Sequence, residues 1–150
     1  MTVAIACHDV MKPEVFTCGP ETSILACAKI MAEHNVGIVP VVEDNGRLAG
    51  VVTDRDIAVR AVAQGRAAES TVAAIMTRDV VRCRQDDSLR HVEDRLTQAQ
   101  KSRIVVVDSW NNPVGIMSLS DIGRVEDAAR AGEVFKAGVT REATGLLARK

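Results

Sequence analysis

The chain has 150 residues, a formal net charge of −1, 47% apolar residues and only 2% aromatics, so it can bury a core made of Val, Ile, Leu, Ala and Met. The near-neutral charge removes the electrostatic footprint of a general nucleic-acid binder, and the rings Phe16, Trp110 and Phe135 are too few for a reader that stacks single-stranded bases. No apolar run approaches the roughly 20 residues of a membrane span, and the start lacks the pattern of a secretion signal. Cys7, Cys18, Cys27 and Cys83 show no C-x-x-C spacing, which fits free thiols in a cytoplasmic protein.

In chain order, "PETS" offers Thr22 as a helix N-cap, with Ile24, Cys27, Ala28 and Met31 on one helical face. "GIVPVV" predicts a short buried strand over 38–42, in which Pro40 fits an edge or irregular strand. Asn45-Gly46 signals a tight hairpin, "LAGVV" the returning strand. Thr53 or Asp54 caps a second helix, about 55–64, that Gly65 stops. Residues 66–74 join this block to a second one of the same order. There Leu89, Val92 and Leu96 mark a helix, "RIVVV" a strand, "DSWNNP" a turn, "VGIM" a strand, and a last helix begins near Ser120.

The two blocks are an internal repeat. Asp56 and Asp121 lie 65 positions apart, as do Gly50 and Gly115, Ile57 and Ile122, Met11 and Met76, Cys18 and Cys83, and Ser23 and Ser88. No gap is needed between residues 10 and 122. Each copy has only about 50 ordered residues, too few to bury much surface alone. The expected architecture is therefore α+β, with the two sheets packed together about an approximate two-fold axis.

The segments "VMKPEVFTC" with "GIVPVVEDNGRLAGVVTDRDI", and "IMTRDVVRC" with "SRIVVVDSWNNPVGIMSLSDI", resemble the cystathionine beta-synthase (CBS) domain, and the pair resembles a Bateman module. The resemblance implies a tandem of β-α-β-β-α repeats. It sets one domain at 8–66, a second at 73–125, and a C-terminal helix and tail at 126–150. It implies a non-catalytic sensor that binds an adenosine-containing ligand of the AMP, ADP or ATP class, with NAD or S-adenosylmethionine as longer options. It further implies a homodimer that reports to a regulated partner protein, with no nucleic acid or membrane involved.

Carried over residue by residue, the resemblance gives two pockets, each lined by both repeats. In one, Ser118, Ser120 and Asp121 would hold the ribose. Val36, Gly37 and Ile38 would offer backbone groups to the adenine, Phe16 and Thr17 would lie near the base, and Arg103 would contact phosphate. In the other, Thr53, Arg55 and Asp56 would hold the ribose, with Val81, Arg82, Lys101 and Ser102 on the adenine side. Lys12 and Arg78, in the entry segments of the two repeats, would reach phosphates. The Asp121 pocket is the better equipped, because Arg103 is replaced by Ile38 in its counterpart.

The physical logic is that the first N–H groups of a helix lack internal partners and favour anions, while an aspartate one turn in can accept from both ribose hydroxyls. The competing account of the same residues is an ordinary helix cap. Two other functional readings compete: an interaction module with vestigial pockets, and a redox or metal stress sensor working through the cysteines. Cys18 and Cys83 are repeat-equivalent and form the candidate redox pair. Cys7 and His8 are adjacent, so their side chains diverge and no metal-ligand spacing is completed. His34 and His91 read as helix-surface residues. No P-loop, G-x-G-x-x-G array or nucleophile elbow is present.

Overall fold

The computed structural model describes residues 5–125 and divides them into two compact units. One holds residues 14–80 and 109–113; the other holds 5–13, 81–108 and 114–125. The expected C-terminal helix and tail at 126–150 lie outside the described residues.

In the first unit, helix α2 (Ile24–His34) starts where the Ser23 hydroxyl accepts from the Ala26 N–H at 3.0 Å. The cap is thus Ser23, not Thr22, whose hydroxyl accepts from Gly19 N one turn earlier. Asn35 ends the helix in the left-handed region at φ 53°. Strands β1 (Ile38–Val42) and β2 (Leu48–Thr53) form an antiparallel hairpin around Asn45-Gly46, where Gly46 has φ 84°. Pro40 pairs with Val51, and the register slips between Val41 and Val42. On its other edge β1 meets the chain through a single parallel bridge, Cys18 to Val41. This suits a proline that has no N–H to donate there.

After β2, helix α3 (Asp54–Asp56) continues as a π-helical turn over Ile57–Val62, and Gly65 closes it at φ 66°. The connecting chain adds a 3₁₀ turn at Val72–Ala74 that the sequence did not signal. Val72, Ile75 and Met76 complete a core with Cys18, Ile24, Cys27, Met31, Val39, Val41, Val52 and Ala61.

The second unit begins with a one-turn helix α1 (Cys7–Val10), which the sequence did not signal. Strands β3 (Arg82–Arg84), β4 (Arg103–Val107) and β5 (Pro113–Ser118) form a sheet in that order, with β3 parallel to β4. Helix α4 (Leu89–Ala99) is capped by Ser88 and buries Leu89, Val92 and Leu96. Helix α5 (Leu119–Gly123) follows β5 directly. The core joins Cys7 and Cys83 to Leu89, Val92, Leu96, Ile104, Val106, Met117 and Ile122.

The compact units cut across the repeats. The lead-in segment of each repeat folds with the other repeat. Lys12 exchanges two backbone hydrogen bonds with Ile116 (2.9 and 3.1 Å), and Thr77 exchanges two with Val51 (both 2.9 Å). These pairs are equivalent under the 65-residue offset. The repeated glycine of each returning strand lets this happen. A Cβ on Gly50 would stand 2.8 Å from the Thr77 carbonyl oxygen and 3.1 Å from Met76 Sδ, and one on Gly115 would overlap the Met11 side chain.

Candidate functional site

Each repeat ends its hairpin in the same corner. Thr53 caps α3: its hydroxyl accepts from Asp56 N at 3.1 Å, and Asp56 Oδ2 accepts from Thr53 N at 2.9 Å. Ser118 and Asp121 repeat this at α5, with Ser118 N donating to Asp121 Oδ2 at 2.8 Å and the Ser118 hydroxyl accepting from Asp121 N at 3.3 Å. The Ser118 hydroxyl also lies 3.0 Å from Oδ2 and 2.8 Å from the Ser120 hydroxyl. Both carboxylates are buried, Asp56 at 8% and Asp121 at 3% exposure. The cap reading and the site reading therefore share one side chain: Oδ2 closes the helix start, which leaves Oδ1 to meet other groups.

What meets Oδ1 differs between the corners. Arg60 Nε stands 3.7 Å from Asp56 Oδ1, and the same guanidinium donates to the Ile75 carbonyl at 3.2 Å and reaches the Met76 carbonyl at 3.5 Å. Arg60 thus ties Nη1 to two backbone carbonyls while its Nε faces the carboxylate. At Asp121, Oδ1 faces Lys12 Nζ at 3.8 Å and Arg124 at 3.6 Å, and these side chains are 64% and 71% exposed. Both are water-facing cations on flexible stems. Neither Arg60 nor Arg124 was among the residues expected from sequence, although each sits three or four positions after its aspartate, the spacing that puts side chains on one helical face.

The backbone joins the start of β1 to the first corner and the start of β4 to the second. Asp54 N donates to the Gly37 carbonyl at 3.0 Å, and Ile38 pairs with Thr53. In the same way Leu119 N donates to the Ser102 carbonyl at 3.0 Å, which places Ser102 and the first β4 residue, Arg103, beside the helix that carries Asp121.

The second unit thus gathers Ser118, Ser120, Asp121, Lys12 and Ser102, with Arg103 half-buried, Lys101 exposed and Val81 accepting from Val105 N. The first unit gathers Thr53, Asp56, Gly37 and Ile38, with Arg55 and Thr17 exposed and Val36 half-buried. The adenine-side residues assigned to each aspartate belong to the unit that carries the other aspartate. Phe16 is half-buried with one ring face covered by His34, centroids 3.6 Å apart and 11° from parallel.

The cysteines pair otherwise than repeat equivalence suggested. Cys83 Sγ lies 3.4 Å from Cys7 Sγ, and Cys18 shares its core with Cys27. All four are free and buried. No group of three metal-ligating side chains occurs among the described residues, and no helix among them is long and apolar enough to cross a membrane.

Comparison with known proteins places this geometry. The CBS domain family model matches residues 7–62 and again 72–126. The CBS domain-containing protein YhcV of Bacillus subtilis is 41% identical over 114 residues, covering 76% of this chain and 80% of its own. The solved CBS domain pair of protein MJ0100, in complex with 5′-methylthioadenosine and S-adenosyl-L-methionine, superposes with a TM-score of 0.75 at 32% identity, over 82% of this chain and 96% of that one. Hypoxic Response Protein I, solved with two coordinated zinc ions, gives 0.73 at 27% identity, over 82% and 100%. The chain belongs to the CBS domain family and carries a tandem pair of its α+β repeats.

Proposed function

We propose that the chain is a non-catalytic sensor of an adenosine-containing ligand, and that the Asp121 corner is its principal site. The ligand class is supported by the similar MJ0100 pair, whose two bound molecules are both adenosine derivatives. The observation that carries the choice of corner is the state of the two Oδ1 atoms. Asp56 Oδ1 is held by an arginine tied to two carbonyls, so a sugar must break an anchored ion pair to reach it. Among the described residues, Asp121 Oδ1 meets the exposed side chains of Lys12 and Arg124, which a ribose can displace at little cost.

The displaced cations then suit phosphate. Lys12 and Arg124 beside Asp121, with Arg103 at the start of β4, offer an ammonium and two guanidinium forks to phosphate oxygens. This favours AMP, ADP or ATP over adenosine ligands without phosphate. Bound nucleotide changes the relative stability of two packing states only through unequal affinity for them, and a regulated partner reads that difference. The working unit is a cytoplasmic homodimer.

Calorimetric titration with AMP tests the reading on the wild type, Asp121→Asn and Asp56→Asn. The asparagine keeps one oxygen to accept from the cap N–H, while its amide replaces Oδ1 with a donor that cannot accept from a ribose. Weakened binding in Asp121→Asn alone is the expected result. Equal binding by all three proteins refutes the site.

A further inference from the structure

The buried thiols of Cys7 and Cys83 stand 3.4 Å apart across 76 residues of sequence. Cys7 opens α1, and Cys83 sits in the middle of β3. The segment bearing Cys7 is laid over the β3–α4 turn by backbone bonds: Cys7 N to Asp87 O and His8 N to Gln85 O, both 3.0 Å, and Leu89 N to Ile5 O at 2.8 Å. The element that carries Cys7 is therefore a single helical turn, whose thiol enters the core that also holds Cys83. Its outer residues Ile5, His8 and Asp9 are exposed. A one-turn element held by a few backbone bonds opens at far less cost than the whole fold, and opening it brings the Cys7 thiol out of that core.

We propose that Cys7 and Cys83 form a redox-active dithiol that closes to an intramolecular disulfide on meeting a small-molecule disulfide. The Cys7 thiolate attacks one sulfur of the small disulfide. Its S–S bond breaks, a mixed disulfide forms on Cys7, and one thiolate leaves. Cys83 then attacks the Cys7 sulfur, forms the Cys7–Cys83 bond and expels the second thiolate. The two thiol protons end on the two leaving groups, and the small disulfide is reduced by the two electrons the protein loses.

The order of attack follows from the pair itself. The hydrogen bond from Cys83 holds the Cys7 thiol below the usual range against the opposing effect of burial, and the same bond pushes Cys83 up. Bond formation needs the sulfurs to close from 3.4 Å to about 2.05 Å. The resulting staple fixes the lead-in segment, whose residue Lys12 pairs with Ile116 and faces Asp121. Where the nucleotide reading holds, oxidation also shifts affinity at Asp121, but the thiol chemistry stands apart from that reading.

The test uses the full chain with Cys18→Ser and Cys27→Ser, equilibrated with glutathione and glutathione disulfide over a range of ratios. Expected are the paired loss of both remaining free thiols, a Cys7–Cys83 cross-linked peptide, recovery with dithiothreitol, and a Tm raised by about 10 °C in the oxidised form. In the further variant Cys7→Ser, Cys83 should stay reduced at the same ratios. Peptide mapping of the oxidised wild type provides the same reading should the double variant fold poorly. Both thiols remaining free at the most oxidising ratio, or glutathione accumulating on Cys7 without the cross-link, would overturn the proposal.

Discussion

Replacing each repeated glycine by alanine probes the exchanged lead-in segments, and the two positions should not respond alike. At Gly50 the new methyl meets a backbone oxygen, Thr77 O at 2.8 Å, as well as Met76 Sδ at 3.1 Å. That carbonyl belongs to a residue bonded in both directions to Val51, so it cannot move without breaking the bridge. At Gly115 the two closest atoms are Sδ and Cγ of Met11, which rotation about the flexible side chain can carry away, leaving Met11 Cβ at 3.1 Å to give by a few tenths of an ångström. Overpacking in a well-filled interior costs about 1–3 kcal/mol. Gly50→Ala should therefore fall near the top of that range, about 3 kcal/mol, and Gly115→Ala near the bottom, about 1 kcal/mol. Urea unfolding followed by circular dichroism measures both, with the m value checked for constancy. Equal losses, or a larger loss at Gly115, would refute the argument that the Thr77 backbone sets the constraint at Gly50.

The helix caps and the anchored arginine give two further expectations. Ser23→Ala and Ser88→Ala each remove an acceptor for an otherwise unpaired helix N–H and should cost about 1 kcal/mol in urea unfolding, whereas Ala at Thr22, whose hydroxyl lies outside the helix, should cost less. Arg60→Ala strips the Ile75 carbonyl of its guanidinium donor and should destabilise by about 1 kcal/mol, discounted because the side chain is half exposed.

How far the sequence could be read depended on the range of the forces involved. The hairpins were legible because Asn45-Gly46 and the apolar runs beside it encode a turn within a few residues. The corners were legible because hydroxyl and carboxylate recur at fixed spacing on a 65-residue offset. The cap at Thr22 was misplaced by one residue because Thr22 and Ser23 are both good acceptors, and only the chain path decides which reaches the helix.

Helix α1 carried no signal, since four residues show no period, and its helix forms on partners some 80 positions away in sequence. The segment exchange was hidden for the same reason: Met11 and Met76 announced the repeat but not which glycine each would cover. Repeat symmetry misled at the cysteines, because Cys7 and Cys27 have no cysteine counterparts 65 residues on, yet they are the partners that Cys83 and Cys18 meet. Arg60 and Arg124 were visible at helical spacing, but their rank among many surface arginines came only with the distances to Oδ1.

The central claim is that one buried carboxylate, Asp121, receives the sugar of an adenine nucleotide while its twin is engaged internally. Titrating AMP into the wild type, Asp56→Asn and Asp121→Asn measures this directly. The account predicts near wild-type affinity for Asp56→Asn and a weakening of about thirtyfold for Asp121→Asn, the loss expected for charge-assisted hydrogen bonds to a buried acceptor. Unchanged affinity in Asp121→Asn, or a loss confined to Asp56→Asn, would contradict it.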